Sequence, residues 1–116
     1  MKIFAFAFLG LGLAFAQRDG NFNIRFDPSA VVQTGVEIPF RINVTDPLRK
    51  PVAHAKVTLE INTKEPMDTK LVPATETDPG TYIAKPMFPH SGEWNVYVEV
   101  ERDGAKTART KQVLVP

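Results

Sequence analysis

A chain of 116 residues with fourteen Lys or Arg against thirteen Asp or Glu has no charge excess that would draw nucleic acid. The absence of cysteine excludes a disulfide scaffold, a thiolate nucleophile and a cysteine-held metal. Nine of the ten prolines fall between apolar runs, which suits short strands and stiff loops and works against helices.

The first sixteen residues read as a segment apart. Met1 and Lys2 form a minimal positive start, and Ile3 to Phe15 is apolar or glycine throughout. Ala14-Phe15-Ala16 then places small residues where a signal peptidase reads them, and charge begins with Arg18 and Asp19. Residues 1–16 are therefore expected to be a cleaved signal peptide. The apolar run falls short of the ~20 residues that span a bilayer, so the alternative of a retained anchor is the weaker one. No cysteine follows the run, which excludes a lipid-anchored lipoprotein. Residues 17–116 make one domain, expected in the periplasm or outside the cell, able to bury roughly 60–70% of its unfolded surface.

Within that domain the dominant signal is alternation of apolar and polar residues, the mark of half-buried strands. Weak strand candidates at Phe22–Phe26 and Val31–Val32 come first. The first strong run is Val36, Ile38, Phe40, Ile42 and Val44, set between polar residues. Pro39 interrupts it and cannot donate to a ladder, so this strand is expected to be bulged there or to lie at an edge. Asp46-Pro47 ends it. A second run is Val57, Leu59 and Ile61; Lys70–Val72 and Tyr82–Met87 are weaker candidates. Asp78-Pro79-Gly80 is a turn, because proline presets φ and glycine accepts a positive one. The third run is Trp94, Val96, Val98 and Val100, with Tyr97 pointing outward, and the fourth lies around Val113 and Val115. Asp103-Gly104 between these last two predicts a tight hairpin. Lys106, Arg109 and Lys111 on the last strand read as protection of a sheet edge. Together these elements predict an all-β, immunoglobulin-like sandwich of about seven strands.

Three groups of residues carry a resemblance. Asp78-Pro79-Gly80-Thr81-Tyr82 places a tyrosine two residues after the turn glycine, where sandwiches of this class bond a tyrosine hydroxyl back to the loop immediately preceding it. Gly92-Glu93-Trp94 opens the valine alternation. Upstream, Asp46 leads to Pro51-Val52-Ala53-His54-Ala55-Lys56-Val57. In this order and spacing the chain resembles the YtkA-like/FixH-like exported immunoglobulin-like domains, over about Val31 to Val100. The resemblance implies a non-enzymatic accessory domain of the cell envelope whose partner is another envelope protein. Some relatives handle copper or assist assembly of haem–copper oxidases. The family's methionine- and histidine-rich loop is met here by Met67 alone, and His90 stands where a methionine is expected, three residues after Met87.

Met67, Met87 and His90 are thus the candidate metal ligands, thioether and imidazole being donors suited to copper(I). The plainer reading is that the methionines fill gaps at the end of the core and His90 is a solvated loop residue. It carries more weight, because three scattered ligands without fixed spacing are a non-specific signal. His54, in a polar loop, is read as solvated, and Trp94 as the pin of the core. Nucleophilic catalysis needs a base beside the nucleophile, and Ser91 and His90, as neighbours on an extended chain, point apart. No catalytic residue, organic cofactor or small-molecule substrate is assigned. The class left standing beside a copper-handling accessory domain is a metal-free interaction or structural module of the envelope.

Overall fold

Each of the four alternating runs contributes a strand with its apolar side inward, the first only from Phe40 onward, in the computed structural model, which describes residues 18–116. The expected signal peptide lies outside the described residues. Among the described residues nine strands form: β1 (Arg18–Asp19), β2 (Asn23–Pro28), β3 (Phe40–Thr45), β4 (Lys56–Asn62), β5 (Lys70–Pro73), β6 (Thr75–Asp78), β7 (Thr81–Ala84), β8 (Gly92–Arg102) and β9 (Ala105–Val115). They build a five-stranded sheet in the order β1-β9-β8-β4-β5 and a four-stranded sheet in the order β2-β3-β7-β6. This is the strand arrangement of an immunoglobulin-like sandwich, with β5 extending one sheet and β1 joining its far edge in parallel. Among the described residues no helix is long and apolar enough to cross a membrane.

The core lies between the sheets. Phe26, Phe40, Ile42, Val44 and Tyr82 come from one sheet, and Val57, Leu59, Ile61, Trp94, Val96, Val98 and Val100 from the other. The count exceeds the expected seven because β1 and β6 carry almost no apolar residue. Both are too short and polar to show alternation.

Three expectations are corrected. The strand expected from Val36 begins only at Phe40, and β3 is central, flanked by β2 and β7. Pro39 therefore marks neither an edge nor a bulge: it precedes the ladder, and its carbonyl accepts the Ser29 amide at 2.8 Å. Val36 is correspondingly exposed. Val31–Val32 forms no strand, and Val31 is 80% exposed. Tyr82 does bond to a loop, but a distant one. Its hydroxyl donates to the Val52 carbonyl at 2.8 Å and accepts the Ala55 amide at 3.0 Å. It thereby fixes the entry to β4 rather than the turn beside it.

Asp103 and Gly104 both have positive φ (53° and 80°), as a type I′ hairpin requires. On β9, Lys106 reaches Glu99 at 3.4 Å on the outer face. Arg109 and Lys111 stand opposite Val98 and Val96, on the inner side at the rim. Lys111 spans the gap between the sheets there, donating to the Phe26 carbonyl at 2.6 Å and to Asp27 at 2.7 Å. β1 covers β9 at Ala105 and Lys106, so Lys106 guards no open edge. The stretch bearing Arg109 and Lys111 is open among the described residues, and inward-pointing charge there discourages the addition of another strand.

Candidate functional site

Strand pairing decides which loops meet. β4 and β8 are antiparallel, with Asn62 opposite Asn95, so the loop leaving β4 must lie beside the segment entering β8. The Asn95 side chain donates to that of Asn62 at 3.0 Å and ties the two ends together. The loop after β4 closes into one turn of 3-10 helix, Pro66–Asp68, with proline at its start. The Asp68 amide returns to the Glu65 carbonyl at 2.9 Å, and the Thr63 hydroxyl donates to the Asp68 carboxylate.

Across the gap stands His90. Its Nε2 lies 3.0 Å from Asp68 Oδ2 and its Nδ1 lies 2.9 Å from the Ser91 carbonyl oxygen. Both neighbours are acceptors. A neutral imidazole donates from one nitrogen only, so this geometry is satisfied in full by the imidazolium. The Ser91 carbonyl and then the Asp68 carboxylate raise the His90 pKa above its ordinary value. In turn the Thr63 hydroxyl, and after it His90, lower that of Asp68. The imidazole ring sits 4.9 Å from the Trp94 ring, and the Trp94 N–H donates to the His90 carbonyl at 3.0 Å.

The structure brings the turn carrying Met67 against the segment carrying His90, through Asp68. Met67 is 88% exposed and Met87 40%, so neither fills the core, which corrects the gap-filling reading. The turn that carries Met67 has no buried residue. Phe88 takes the inward position beside Met87, and adjacent residues of an extended chain point to opposite sides. Met87 itself pairs with Glu37 in an isolated bridge. His54 stands apart: its ring is 90% exposed, and its amide faces the Glu76 carboxylate. Among the described residues no three His, Cys, Asp or Glu side chains group so as to hold a metal ion. What sequence reasoning missed is the linkage of Thr63 and Asp68 to His90. The signal that could have found it is the β4–β8 register.

The two shifts define a pH window. A histidine with a raised pKa stabilises the fold below its unfolded value, near 6.5, and that contribution is lost as pH rises through the folded value. A carboxylate with a lowered pKa contributes above its unfolded value, near 3.8, and loses this as pH falls through the folded one. The Asp68–His90 link is therefore complete between those values. We expect an NMR titration of His90 to show a midpoint above 6.5, and amides 63–69 to exchange faster with solvent above it. A midpoint at or below the ordinary histidine value would show that the link does not form in solution.

A protein-family model described as YtkA-like matches residues 16–99, from the end of the leading apolar run to within β8. No curated protein matches the chain.

Proposed function

The chain belongs to the YtkA-like family, and on that premise we propose that it is a non-enzymatic accessory domain of the cell envelope that handles copper(I) through Met67, Met87 and His90. The observation that carries the proposal is the 3.0 Å contact between Asp68 and His90. It draws the turn bearing Met67 to the segment bearing Met87 and His90, and both thioethers are open to solvent rather than spent in the core. Soft sulfur and imidazole donors favour copper(I) over hard cations. Export to the periplasm or beyond, with another envelope protein as partner, is part of the same reading. Its support is the leading apolar segment. A role in binding rather than catalysis is supported by His90 Nδ1, which faces the Ser91 carbonyl and not its hydroxyl.

Copper must displace Asp68 or Ser91 to reach an imidazole nitrogen, and the ring must lose a proton first. Copper(I) titrated into residues 17–116 under a competing chelator should bind at one equivalent, more tightly as pH rises through the His90 pKa. Met87→Ala and His90→Ala should each weaken it. A metal-free interaction module is the second reading, favoured by the full hydrogen bonding of the imidazolium, which needs no metal. Absence of binding above the chelator, or binding indifferent to both substitutions, would leave that reading in place.

A further inference from the structure

The outer face of the β2–β3 pair carries a shallow concavity of about 360 Å³ lined by Asn23, Arg25, Asn43, Thr45 and Arg49. Its composition follows from the register. Asn23 stands opposite Thr45 and Arg25 opposite Asn43, while Phe26, Ile42 and Val44 between them turn to the core. Arg49 is delivered by the turn that follows β3. There the Asp46 carboxylate accepts the amides of Leu48 and Lys50 at 2.8 and 2.9 Å, and the Arg49 amide returns to the Asp46 carbonyl at 2.8 Å. That fixes the backbone of the turn over one end of the two strands.

Every side chain lining the concavity can donate a hydrogen bond, and none is a carboxylate. Neither Arg25 nor Arg49 forms an ion pair among the described residues. Asp27, the acid nearest along β2, is held by Lys111 at 2.7 Å. The Asn43 carbonyl oxygen accepts the Thr81 hydroxyl at 3.2 Å, which commits its acceptor end and leaves its amide N–H groups to face a ligand. Two guanidinium forks, side-chain amides and a hydroxyl around a depression make a set of donors without a competing carboxylate. Guanidinium forks match the oxygens of a phosphate group in bidentate fashion, and they are weakly hydrated cations that give up water readily.

We propose that this face binds a phosphate group, with Arg25 and Arg49 as its two clamps and Asn43 as a neutral donor between them. The group reaches it either as inorganic phosphate or on the headgroup of an anionic phospholipid. Each clamp forms charge-assisted hydrogen bonds, so losing both should weaken binding by about tenfold or more.

The test uses the full chain with two probes. Inorganic phosphate is titrated at constant ionic strength while backbone amide shifts are followed. Phosphatidylglycerol and phosphatidylcholine vesicles are compared by co-sedimentation, the second giving the baseline for attachment through the leading apolar segment. Shifts confined to residues 23–25 and 43–50, lost in Arg25→Ala/Arg49→Ala and kept in Lys64→Ala, establish the site for free phosphate. An excess of binding to phosphatidylglycerol with the same dependence on the two arginines, and no response to phosphate alone, assigns it to the lipid headgroup. All three substituted residues are exposed, and unchanged melting of the variants confirms that the fold is intact. Absence of both responses, or equal loss on Lys64→Ala, overturns the proposal in favour of general charge attraction.

Discussion

Trp94→Ala is expected to destabilise the domain by about 3–5 kcal/mol, the range for truncating a large buried aromatic side chain. The indole is fully buried, and Phe88 meets it edge-on with ring centroids 5.4 Å apart. It sits near the start of β8, opposite Val113, where the two sheets close over the end of the core. The cavity left by the indole adds its own term to the lost transfer energy. A domain of this size holds about 5–15 kcal/mol in all, and each kcal/mol is worth about 4–8 °C of melting temperature. The variant should melt at least about 10 °C lower, measured by denaturant titration and thermal scan together. A loss below about 1 kcal/mol would mean that the ring does not pin the core. The effect reaches the candidate site as well, because the indole N–H holds the His90 carbonyl. Truncation should loosen the His90–Asp68 link before the domain unfolds.

Gly80→Ala is the second large effect, at about 2–5 kcal/mol. Gly80 has φ +82°, a region that costs a residue with a side chain about 1–2 kcal/mol. Space is short too. A Cβ there would lie 2.8 Å from the Pro51 Cβ and 3.0 Å from the Val44 carbonyl oxygen. Pro51 is rigid and the Val44 carbonyl belongs to β3, so the turn must move, and it holds the Val44 amide through the Gly80 carbonyl at 2.8 Å. Overpacking of this kind adds about 1–3 kcal/mol. Gly35 supplies the control. It has φ +79° and nothing within 4 Å of an added Cβ, so Gly35→Ala should show the conformational cost alone. Equal losses at the two positions, measured by denaturant titration, would remove the steric part of the argument.

What could be read along the chain depended on the range of the interaction. Ile38 through Val44, Val57 through Ile61 and Trp94 through Val100 alternate over enough residues for their period to be unambiguous, and all are buried as that period requires. The positive φ at Gly80 and at Asp103-Gly104 followed from turn chemistry confined to adjacent residues. Features that rest on distant partners were hidden. β5 and β6 are separated by Ala74 alone yet belong to different sheets, a crossing that no periodicity reports. Tyr82 offers a recognisable pattern, but its partners Val52 and Ala55 are fixed by the path of a loop far upstream. The candidate site divides the same way. Met67, Met87 and His90 stand out by residue type, whereas the Asp68–His90 pairing exists only because β4 and β8 run antiparallel in one particular register.

The parallel pair that joins Arg18 to Ala105 bears on how the fold is reached. Those partners stand almost the whole described chain apart, and closing so long a loop costs entropy before any contact forms. β8 and β9, in contrast, are joined by two residues and can meet early. On these grounds the hairpin is expected to form first and β1 to pair last. Domains dominated by such distant pairings fold in about milliseconds to seconds. Until the second sheet covers it, the valine-rich face of β8 is apolar surface of the kind that promotes aggregation during folding.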